Sequence, residues 1–576
     1  MKQLLVALLC ASLIAATPQT PAPDIPKTSE SIEVSIVNVD VFVTDRSGKH
    51  VRGLTKDDFE IYEDGKLQPV TNFTEYESDV ANEEMTVEGT TAAAAPARAP
   101  VEAPRQHRTL VVFIDRFQTP AQKADEVFDQ LKALLHKAVR PGDSVTIVSW
   151  VHRLFTRLPF TDNLMAIDAT LDKIAKERHY SLGGNFQQIE EEQEFEQQAE
   201  QFFGSGSGGA PAPAMPTLEQ LDASTSEFND MKGKIKALNA VIDSISGMDG
   251  QKSMIFVSRR FSMLAGKEYL ADRHTMGGPP GIYQQMLDMR KDVESVAKTA
   301  NAHGVTMYML YPPGLDDADW VQNPSNRRMP GTTDAPTAAH AYMTLDNEVQ
   351  ALTYVAEQTG GMAAWGQADV IKLLPRIEED FSSYYSLAYR ATTHRQDRAR
   401  KIVVKTKNRA YTVRSRHQFV EQSDATKMKN RVITTLFTNP DVNDVKIPLR
   451  VHLGAPKPRG NGQYTLPVIV EIPAQSLVAL PDAKGQRGAF SVYIAWGDIL
   501  GAVSEVTERT QPFTIADVQQ AKNGRFGYRF DLVTDYKANR VAIGVYDEIS
   551  KDYGLQRIEL PHVAINANSN QRQEGR

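Results

Sequence analysis

The sequence has little cysteine: one residue, Cys10, among 576. The segment MKQLLVALLCASLIAA around it has Lys2 before an apolar run and small residues at its end, which is the layout of a secretory signal peptide, and the run is too short to span a bilayer. We predict that residues 1–23 are a signal peptide and that the protein is secreted or periplasmic, within the cell envelope. The mature chain would then contain no cysteine and would need no disulfide bond to fold outside the cytoplasm. Lipidation of Cys10 is the alternative, but the bulky Leu9 stands where lipoprotein signals have a small residue.

Long apolar runs, a strong net charge and enzyme motifs are also missing. No segment after the first is long and apolar enough to predict a transmembrane helix. The net charge of −8 over 576 residues is mild, which argues against a dedicated nucleic-acid-binding protein. The sequence has no His-Glu-x-x-His, no Gly-x-Ser-x-Gly and no catalytic cysteine, and its 12 histidines lack ligand spacing. We therefore predict a non-enzymatic protein that binds neither a cofactor nor nucleic acid.

The composition that remains is that of an ordinary globular protein, 41% hydrophobic and 24% charged. The length suggests roughly two to four domains. Residues 28–78 form a predicted β-rich segment, because SIEVSIVNVDVFVT alternates apolar and polar residues and EDGK marks a turn. Residues 79–107 are low in complexity and rich in Ala, Pro and Glu, which predicts a linker.

From residue 108 to residue 383 the pattern changes to apolar strands that alternate with helices. LVVFI, SVTIVSW, SMIFVS and VTMYML are typical of buried strands, and segments between them have helical spacing. This alternation predicts an α/β fold, with an open parallel sheet and helices on both faces. An acidic, glutamine-rich stretch and a stretch of Gly, Ser, Ala and Pro interrupt the pattern, and we assign residues 187–216 to an insertion.

Strand patterns return after residue 383. YYSLAYR, KIVVKTKN and YTVRSRHQF predict strands in residues 384–422. We expect these strands to pair with the N-terminal β segment, so that the α/β domain projects as an insertion. Short strands separated by turns over residues 430–565, such as QYTLPVIVEI and RFGYRFDLV, predict a C-terminal β-sandwich. Residues 566–576 predict a disordered tail.

Three stretches carry a resemblance to a known family. They are VFVTDRSGKHVRGLTKDDFEIYEDGKLQPVTNF, the α/β region that opens with LVVFIDRFQT and continues through RPGDSVTIVSW and LPFTDN, and ALTYVAEQTGGMAAW…IEEDFSSYYSLAYR. Over these stretches the chain resembles secreted bacterial proteins, abundant in acidobacteria, that contain a von Willebrand factor type A-like domain. The resemblance implies the α/β fold more than it implies a function, because most members of that family have no demonstrated activity.

The resemblance also implies a divalent metal site at the carboxyl edge of the sheet. In such domains the ligands are Asp-x-Ser-x-Ser after the first strand, a Thr in a later loop and an Asp after a middle strand. Oxygen ligands of this kind suit Mg²⁺ or Mn²⁺, and one open position of the metal accepts a carboxylate of a partner. Asp115 matches the first ligand and Thr119 can replace the second Ser, but Phe117 stands at the first Ser and cannot bind a metal.

The remaining ligand positions depart from the family pattern. Asn185 stands where the later Thr is expected, and Arg259 and Arg260 follow the middle strand where the Asp is expected. The loss of a carboxylate and the gain of cations disfavour a bound Mg²⁺. Three interpretations of Asp115 stay open: an ion pair with Arg259 or Arg260 in place of the metal, a cap for the following helix, or a metal held by Asp115 and Thr119.

The stretch RQDRARKIVVKTKNRAYTVRSRH, from Arg395 to His417, is strongly basic. It has the charge to bind an anionic polymer. We favour the alternative that it is an edge hairpin, whose outward-facing charges prevent aggregation of strand on strand.

The favoured functional hypothesis is an exported, non-enzymatic module for protein–protein interaction or adhesion with a degenerate metal site. Its partner would be an unidentified protein, bound at a loop edge formed by Asp115, Thr119, Asn185, Arg259 and Arg260. The alternatives are an exported hydrolase with an unrecognised site and a structural component of a cell-surface complex. A deep pocket with converging acids or histidines would favour the hydrolase, and a flat loop edge would favour binding.

Overall fold

The computed structural model of the protein describes residues 36–77, 108–115, 124–177, 218–258, 260–267, 287–311, 338–365, 367–391, 396–438, 445–460, 463–482, 485–498, 503–515, 524–535 and 538–560. The predicted signal peptide (1–23), linker (79–107), insertion (187–216) and tail (566–576) lie outside these ranges. Within them, no helix is long and apolar enough to cross a membrane.

The elements are numbered in chain order. The strands are β1 (Ile36–Thr44), β2 (Phe59–Glu63), β3 (Lys66–Gln68), β4 (Val70–Glu77), β5 (Arg108–Asp115), β6 (Ser144–Trp150), β7 (Leu154–Thr161), β8 (Gln251–Val257), β9 (Val305–Tyr311), β10 (Ala363–Trp365), β11 (Ser383–Arg390), β12 (Ala399–Thr406), β13 (Thr412–Ser415), β14 (Gln418–Val420), β15 (Arg450–Leu453), β16 (Lys457–Gly460), β17 (Gln463–Pro473), β18 (Leu480–Asp482), β19 (Gly485–Asp498), β20 (Thr507–Ile515), β21 (Arg525–Asp535), β22 (Ala538–Asp547) and β23 (Tyr553–Glu559). The helices are α1 (Ala124–Ala138), α2 (164–177), α3 (Leu218–Ser244), α4 (Arg290–His303), α5 (Ala338–Thr359), α6 (Gln367–Ser382) and α7 (Asp424–Phe437).

The centre of the α/β domain is a six-stranded sheet with the strand order β10-β9-β8-β5-β6-β7. The first five strands in this order, from β10 to β6, run parallel to one another. β7 runs antiparallel to β6, so the prediction of a parallel sheet needs a correction at this edge. Only residues 151–153 separate the two strands, and a parallel connection needs a crossover of about a dozen residues or more.

Helices cover both faces of this sheet. α3, α4 and α5 pack on one face, where Phe113 and Leu238 belong to the same buried cluster. α1, α2 and α6 pack on the other face, where Val112 and Leu131 belong to a second cluster. Neighbouring residues of β5 therefore point into different cores, which is why its sequence is continuously apolar. The fold of this part of the chain is mixed α/β.

Strands from the N-terminal segment pair with strands that follow the α/β domain. β1 pairs antiparallel with β11 and β13, and β2 pairs antiparallel with β12. The two four-stranded sheets that result, β13-β1-β11-β4 and β14-β12-β2-β3, share one apolar core that contains Val39, Ile61 and Tyr385. We call this structure the β unit. Glu77 of β4 pairs with Ser383 of β11, so the chain leaves the β unit and re-enters it at neighbouring points.

The basic stretch RQDRARKIVVKTKNRAYTVRSRH is not an edge hairpin. β13 lies at a sheet edge, but β12 lies between β14 and β2. Arg400 of β12 is buried, and its guanidinium bonds Glu63 at 2.6 Å and Glu421 at 2.5 Å. One cation of this stretch therefore lies in the interior of the β unit and is paired there with two carboxylates, as a buried ion requires.

The C-terminal strands β15 to β23 form two sheets around a separate apolar core. α7 precedes them and packs on β19 and β22 through Met428, Val432 and Leu436. Ser423 caps this helix, because its hydroxyl accepts a hydrogen bond from the backbone N–H of Thr426 at 3.1 Å. The sequence placed the start of the sandwich at residue 430, whereas the structure has a helix at that position.

Candidate functional site

The carboxyl edge of the six-stranded sheet holds a buried ion pair. Asp115 is the last residue of β5, and Lys234 reaches it from α3, with 2.6 Å between Nζ and Oδ2. Ser258, directly after β8, donates a hydrogen bond from its hydroxyl to the same carboxylate oxygen at 2.7 Å. All three side chains are fully buried. This is the edge at which open α/β sheets bind ligands.

A second carboxylate, that of Asp230, extends this cluster toward the surface. Its Oδ2 lies 3.7 Å from Lys234 Nζ, and its Oδ1 accepts a hydrogen bond from Trp150 Nε1 at 3.1 Å and lies 3.0 Å from His152 Nδ1. The indole of Trp150 packs against Gly233, where a Cβ would lie only 2.9 Å from the ring. The side chain of His152 is 56% exposed, so the cluster connects to solvent there.

Arg260 completes the cluster next to β8. Its main-chain oxygen accepts a hydrogen bond from Lys234 Nζ at 3.1 Å, and its guanidinium lies 3.9 Å from Glu227. Arg260 and His152 both have positive φ angles, 55° and 54°. Such conformations are uncommon for residues other than glycine and concentrate at functional sites. The backbone is therefore strained at His152 and at Arg260, next to the buried ions.

The pKa of Lys234 shows how its charge is maintained. Burial acts to lower this pKa, but the attraction of Asp115, Glu227 and Asp230 outweighs burial and raises it above its ordinary value. Lys234 is therefore an ammonium ion at neutral pH. Its charge compensates carboxylates that would otherwise be isolated in a medium of low dielectric constant.

A divalent metal does not fit this arrangement. Mg²⁺ requires oxygen ligands at about 2.1 Å in a nearly octahedral shell, whereas Oδ2 of Asp115 is already bonded to an ammonium and to a hydroxyl. A metal ion beside Lys234 would also be repelled at short range where water does not screen the charges. Among the described residues, no group of three or more His, Cys, Asp or Glu side chains is arranged to hold a metal. Among the described residues, the ammonium group of Lys234 lies beside Asp115, at the position where the resemblance implies a metal.

The residues predicted for this edge divide into two groups. Asp115 and Arg260 lie together around the ammonium group of Lys234. The carboxylate of Asp115 forms an ion pair with it, and the main-chain oxygen of Arg260 accepts a hydrogen bond from it. Thr119, Asn185 and Arg259 lie outside the described residues. One of the three interpretations paired Asp115 with Arg259 or Arg260, and the structure instead pairs it with a lysine from α3.

Lys234 is not among the residues that the sequence predicted for this edge. α3 begins at Leu218, and its polar first half hides the apolar period. Lys234 lies in the middle of the helix, on the face that also buries Met231 and Leu238. A single lysine at helical spacing among apolar residues predicts a buried ion that needs a carboxylate, and this signal was available.

A separate cavity lies at the opposite, amino edge of the sheet. Its volume is about 670 Å³, and it is bounded by β1, by the segments that lead into β8 and β9, by α7 and by the residues before α7. Asp40, Asp249, Lys252, His303 and Arg416 are among the side chains that line it. The cavity is therefore polar and lies where the β unit, the α/β domain and α7 meet.

Comparison with known proteins gives weak likenesses. No family model matches the chain, and no curated protein matches it. BatB, a conserved hypothetical protein from Bacteroides thetaiotaomicron, is a similar solved structure with 12% identity and a TM-score of 0.24, covering 47% of this chain and 98% of that chain. The manganese-loaded TRAP protein of Plasmodium vivax has 8% identity and a TM-score of 0.22, covering 55% and 95%. The PilB minor pilin of Streptococcus sanguinis has 9% identity and a TM-score of 0.24, covering 61% and 89%. At these TM-scores the likenesses carry no argument about this chain.

Proposed function

We propose that the protein is an exported, non-enzymatic module for protein interaction or adhesion. It is built on a von Willebrand factor type A-like domain whose loop edge binds its partner without a metal. The quoted stretches that resemble that family support the assignment, and so does a sheet covered by helices on both faces. The buried Asp115–Lys234 pair at the carboxyl edge is the observation that carries the proposal.

The ion pair implies a particular mode of recognition. A metal-dependent domain of this type binds a carboxylate of its partner at the open position of the metal. Here an internal ammonium neutralises Asp115, so the partner would instead meet side chains that reach the surface from the same loops. His152 and Arg260 are such side chains, 56% and 28% exposed. Their positions are fixed by the buried cluster, which favours a preorganised binding edge.

Quantitative binding of the purified mature protein to envelope preparations of the producing bacterium tests this proposal. We expect binding that is unchanged by EDTA and by added Mg²⁺ or Mn²⁺. The double variant His152→Asn/Arg260→Asn should bind at least about fivefold more weakly, because it removes two side chains at the centre of the edge. Asn tolerates a positive φ, and the main-chain oxygen at position 260 still accepts the hydrogen bond from Lys234.

Lys446→Ala provides the matched control. Its side chain is 71% exposed and pairs with Asp552, in the C-terminal part of the chain. This variant should bind as well as the wild type. Loss of binding in EDTA would contradict a metal-independent edge, and full binding by the double variant would contradict recognition through these loops.

An exported hydrolase is the second candidate, because the cavity at the amino edge brings acids and a histidine together. His303 is the residue expected to act as a base in such a site. Its Nε2 lies 3.2 Å from Asp243, and its Nδ1 lies 3.2 Å from the amide nitrogen of Gln422. With both ring nitrogens engaged by protein groups, His303 is poorly placed to accept a proton from water. The cavity therefore favours ligand binding over hydrolysis.

A further inference from the structure

The cavity at the amino edge of the α/β sheet is lined by charges from separate parts of the chain. Asp40 comes from β1, Lys252 from β8, and Arg416 from the connection between β13 and β14. All three side chains line the cavity, and each of them is partly exposed. The site is therefore assembled only when the β unit and the α/β domain are in place.

The described side chains that line the cavity have an excess of positive charge. The lining residues include four cations, Lys252, Arg416, Lys427 and Arg431, and three acids, Asp40, Asp249 and Glu421, which leaves an excess of one positive charge. The guanidinium of Arg431 also lies over the ring of Tyr553, 4.3 Å from its centre. The balance favours an anionic occupant.

Burial changes the ionisation of the charged groups that face one another in the cavity. It raises the pKa of Asp40, although Arg416 and Lys252 act to lower it. It lowers the pKa of Lys252 to about 8, although Asp249 acts to raise it. It also lowers the pKa of Arg416, against the attraction of Asp40. Perturbed groups in a cavity are typical of sites at which a ligand completes the electrostatic environment.

Arg416 has hydrogen-bonding capacity in the cavity that the described residues do not use. Its Nη2 donates to the main-chain oxygen of Asn38, and the guanidinium lies 5.1 Å from the ring centre of Phe419. Its Nε has no partner among the described residues. This N–H can therefore donate a further hydrogen bond, to water or to a ligand.

We propose that this cavity binds a small organic anion, which presents a carboxylate or phosphate to Arg416 and Lys252. The planar guanidinium suits bidentate recognition of an oxyanion, and the lysine adds a compact charge. The cavity volume of about 670 Å³ lies within the range of small-molecule sites. This function is separate from partner binding at the carboxyl edge, so either proposal can fail alone.

Thermal unfolding of the full mature chain with a panel of small molecules tests the proposal. The anions are inorganic phosphate, malonate, citrate and glucose 6-phosphate, each at about 10 mM, and glucose and choline are the neutral and cationic controls. We expect at least one anion to raise Tm by about 3 °C or more, because a ligand of the native state alone stabilises it. Glucose and choline should leave Tm unchanged.

Three variants separate binding in the cavity from the general stabilising effect of salts such as phosphate and citrate. Arg416→Gln and Lys252→Gln should abolish the shift, and the second serves if the first does not fold. Lys401→Gln, which removes an exposed cation of β12, should keep it. The proposal is overturned if none of the four anions shifts Tm, or if the shift is the same in the wild type and in both cavity variants.

Discussion

At the scale of single residues, Lys234 carries a full charge in a place that water does not reach. Lys234→Met keeps most of the side-chain volume but leaves the carboxylates of Asp115, Glu227 and Asp230 without their central cation. We expect the free energy of unfolding to fall by about 3–5 kcal/mol, the usual cost of breaking a buried pair from one side. Urea denaturation followed by circular dichroism measures the change.

The same helix offers a matched control for this substitution. Lys232 is 47% exposed and lies 3.1 Å from Asp292, so Lys232→Met should cost less than about 1 kcal/mol. Adding Asp115→Asn to Lys234→Met removes one orphaned carboxylate and should recover part of the loss. Equal effects of the two lysine substitutions would show that Lys234 does not stabilise the edge through its charge.

Lys252 should make stability depend on pH in the alkaline range. Its pKa in the folded protein is about 8, below the ordinary value of 10.5, and the charged groups that face it are Asp249, Arg416 and Asp40. Between these pH values the unfolded chain binds more protons, so the free energy of unfolding rises with pH. One pKa unit is worth about 1.4 kcal/mol, which gives a rise of up to about 3 kcal/mol.

The comparison of the wild type with Lys252→Met isolates this contribution, since all other titrating groups are common to both. Denaturation at about pH 7.5, 9 and 10 should show the wild type gaining stability relative to the variant as the pH increases. Parallel pH profiles would contradict the lowered pKa of Lys252.

At the scale of elements, continuous apolar runs predicted the sheet well and local capping signals were overlooked. Runs such as LVVFI and SMIFVS correspond to β5 and β8, because strands covered on both faces are apolar throughout. α7 was missed although Ser423 is a good cap and Met428, Val432 and Leu436 have helical spacing. The partner of Asp115 depends on the packing of α3 onto the sheet, which no local pattern of the sequence contains.

Close contact between α7 and the turn after α3 depends on a glycine. A Cβ at Gly247 would lie 2.6 Å from the Cα of Arg431, and the backbone N–H of Gly247 donates to the hydroxyl of Thr434 at 3.0 Å. Gly247→Ala would push α7 away from the α/β domain. We expect a loss of about 1–3 kcal/mol in the free energy of unfolding, the range for overpacking a close contact.

Gly527→Ala is the appropriate control, because nothing lies within 4 Å of a Cβ at that position of β21. There the substitution should be neutral or stabilising by up to about 1 kcal/mol, since it only reduces the freedom of the unfolded chain. Urea denaturation of both variants gives the comparison. If the two alanines had the same effect, the contact between α7 and the turn would not contribute to stability.

At the scale of the whole molecule, the β unit is closed by strands from both sides of the α/β domain. Its core contains Val39 and Ile61 from before that domain and Tyr385 and Val404 from after it. The sequence predicted such a pairing from the strand-rich flanks alone. The sequence did not predict the register of these strand pairs. Which residues pair is decided by the positions of facing side chains in the folded sheets.

This architecture predicts that the α/β domain can be removed without unfolding the β unit. Glu77 and Ser383 face each other, so joining them through Asn-Gly would turn β4 and β11 into a hairpin. Arg414→Gln should accompany the deletion, because Arg414 bonds Asp380 of the removed α6 at 2.6 and 2.9 Å. We expect the shortened chain to have a β-type circular dichroism spectrum and to unfold cooperatively in urea.

A variant with a shifted junction tests whether that stability comes from the native register. Joining Tyr76 to Ser383 through the same Asn-Gly moves β4 by one residue, which turns its core-facing side chains, including Phe73, toward the opposite face. This chain should unfold at a clearly lower urea concentration than the chain joined at Glu77. Equal midpoints would mean that the β unit does not depend on the β4–β11 register. The absence of a cooperative transition in both chains would mean that the β unit needs the α/β domain in order to fold.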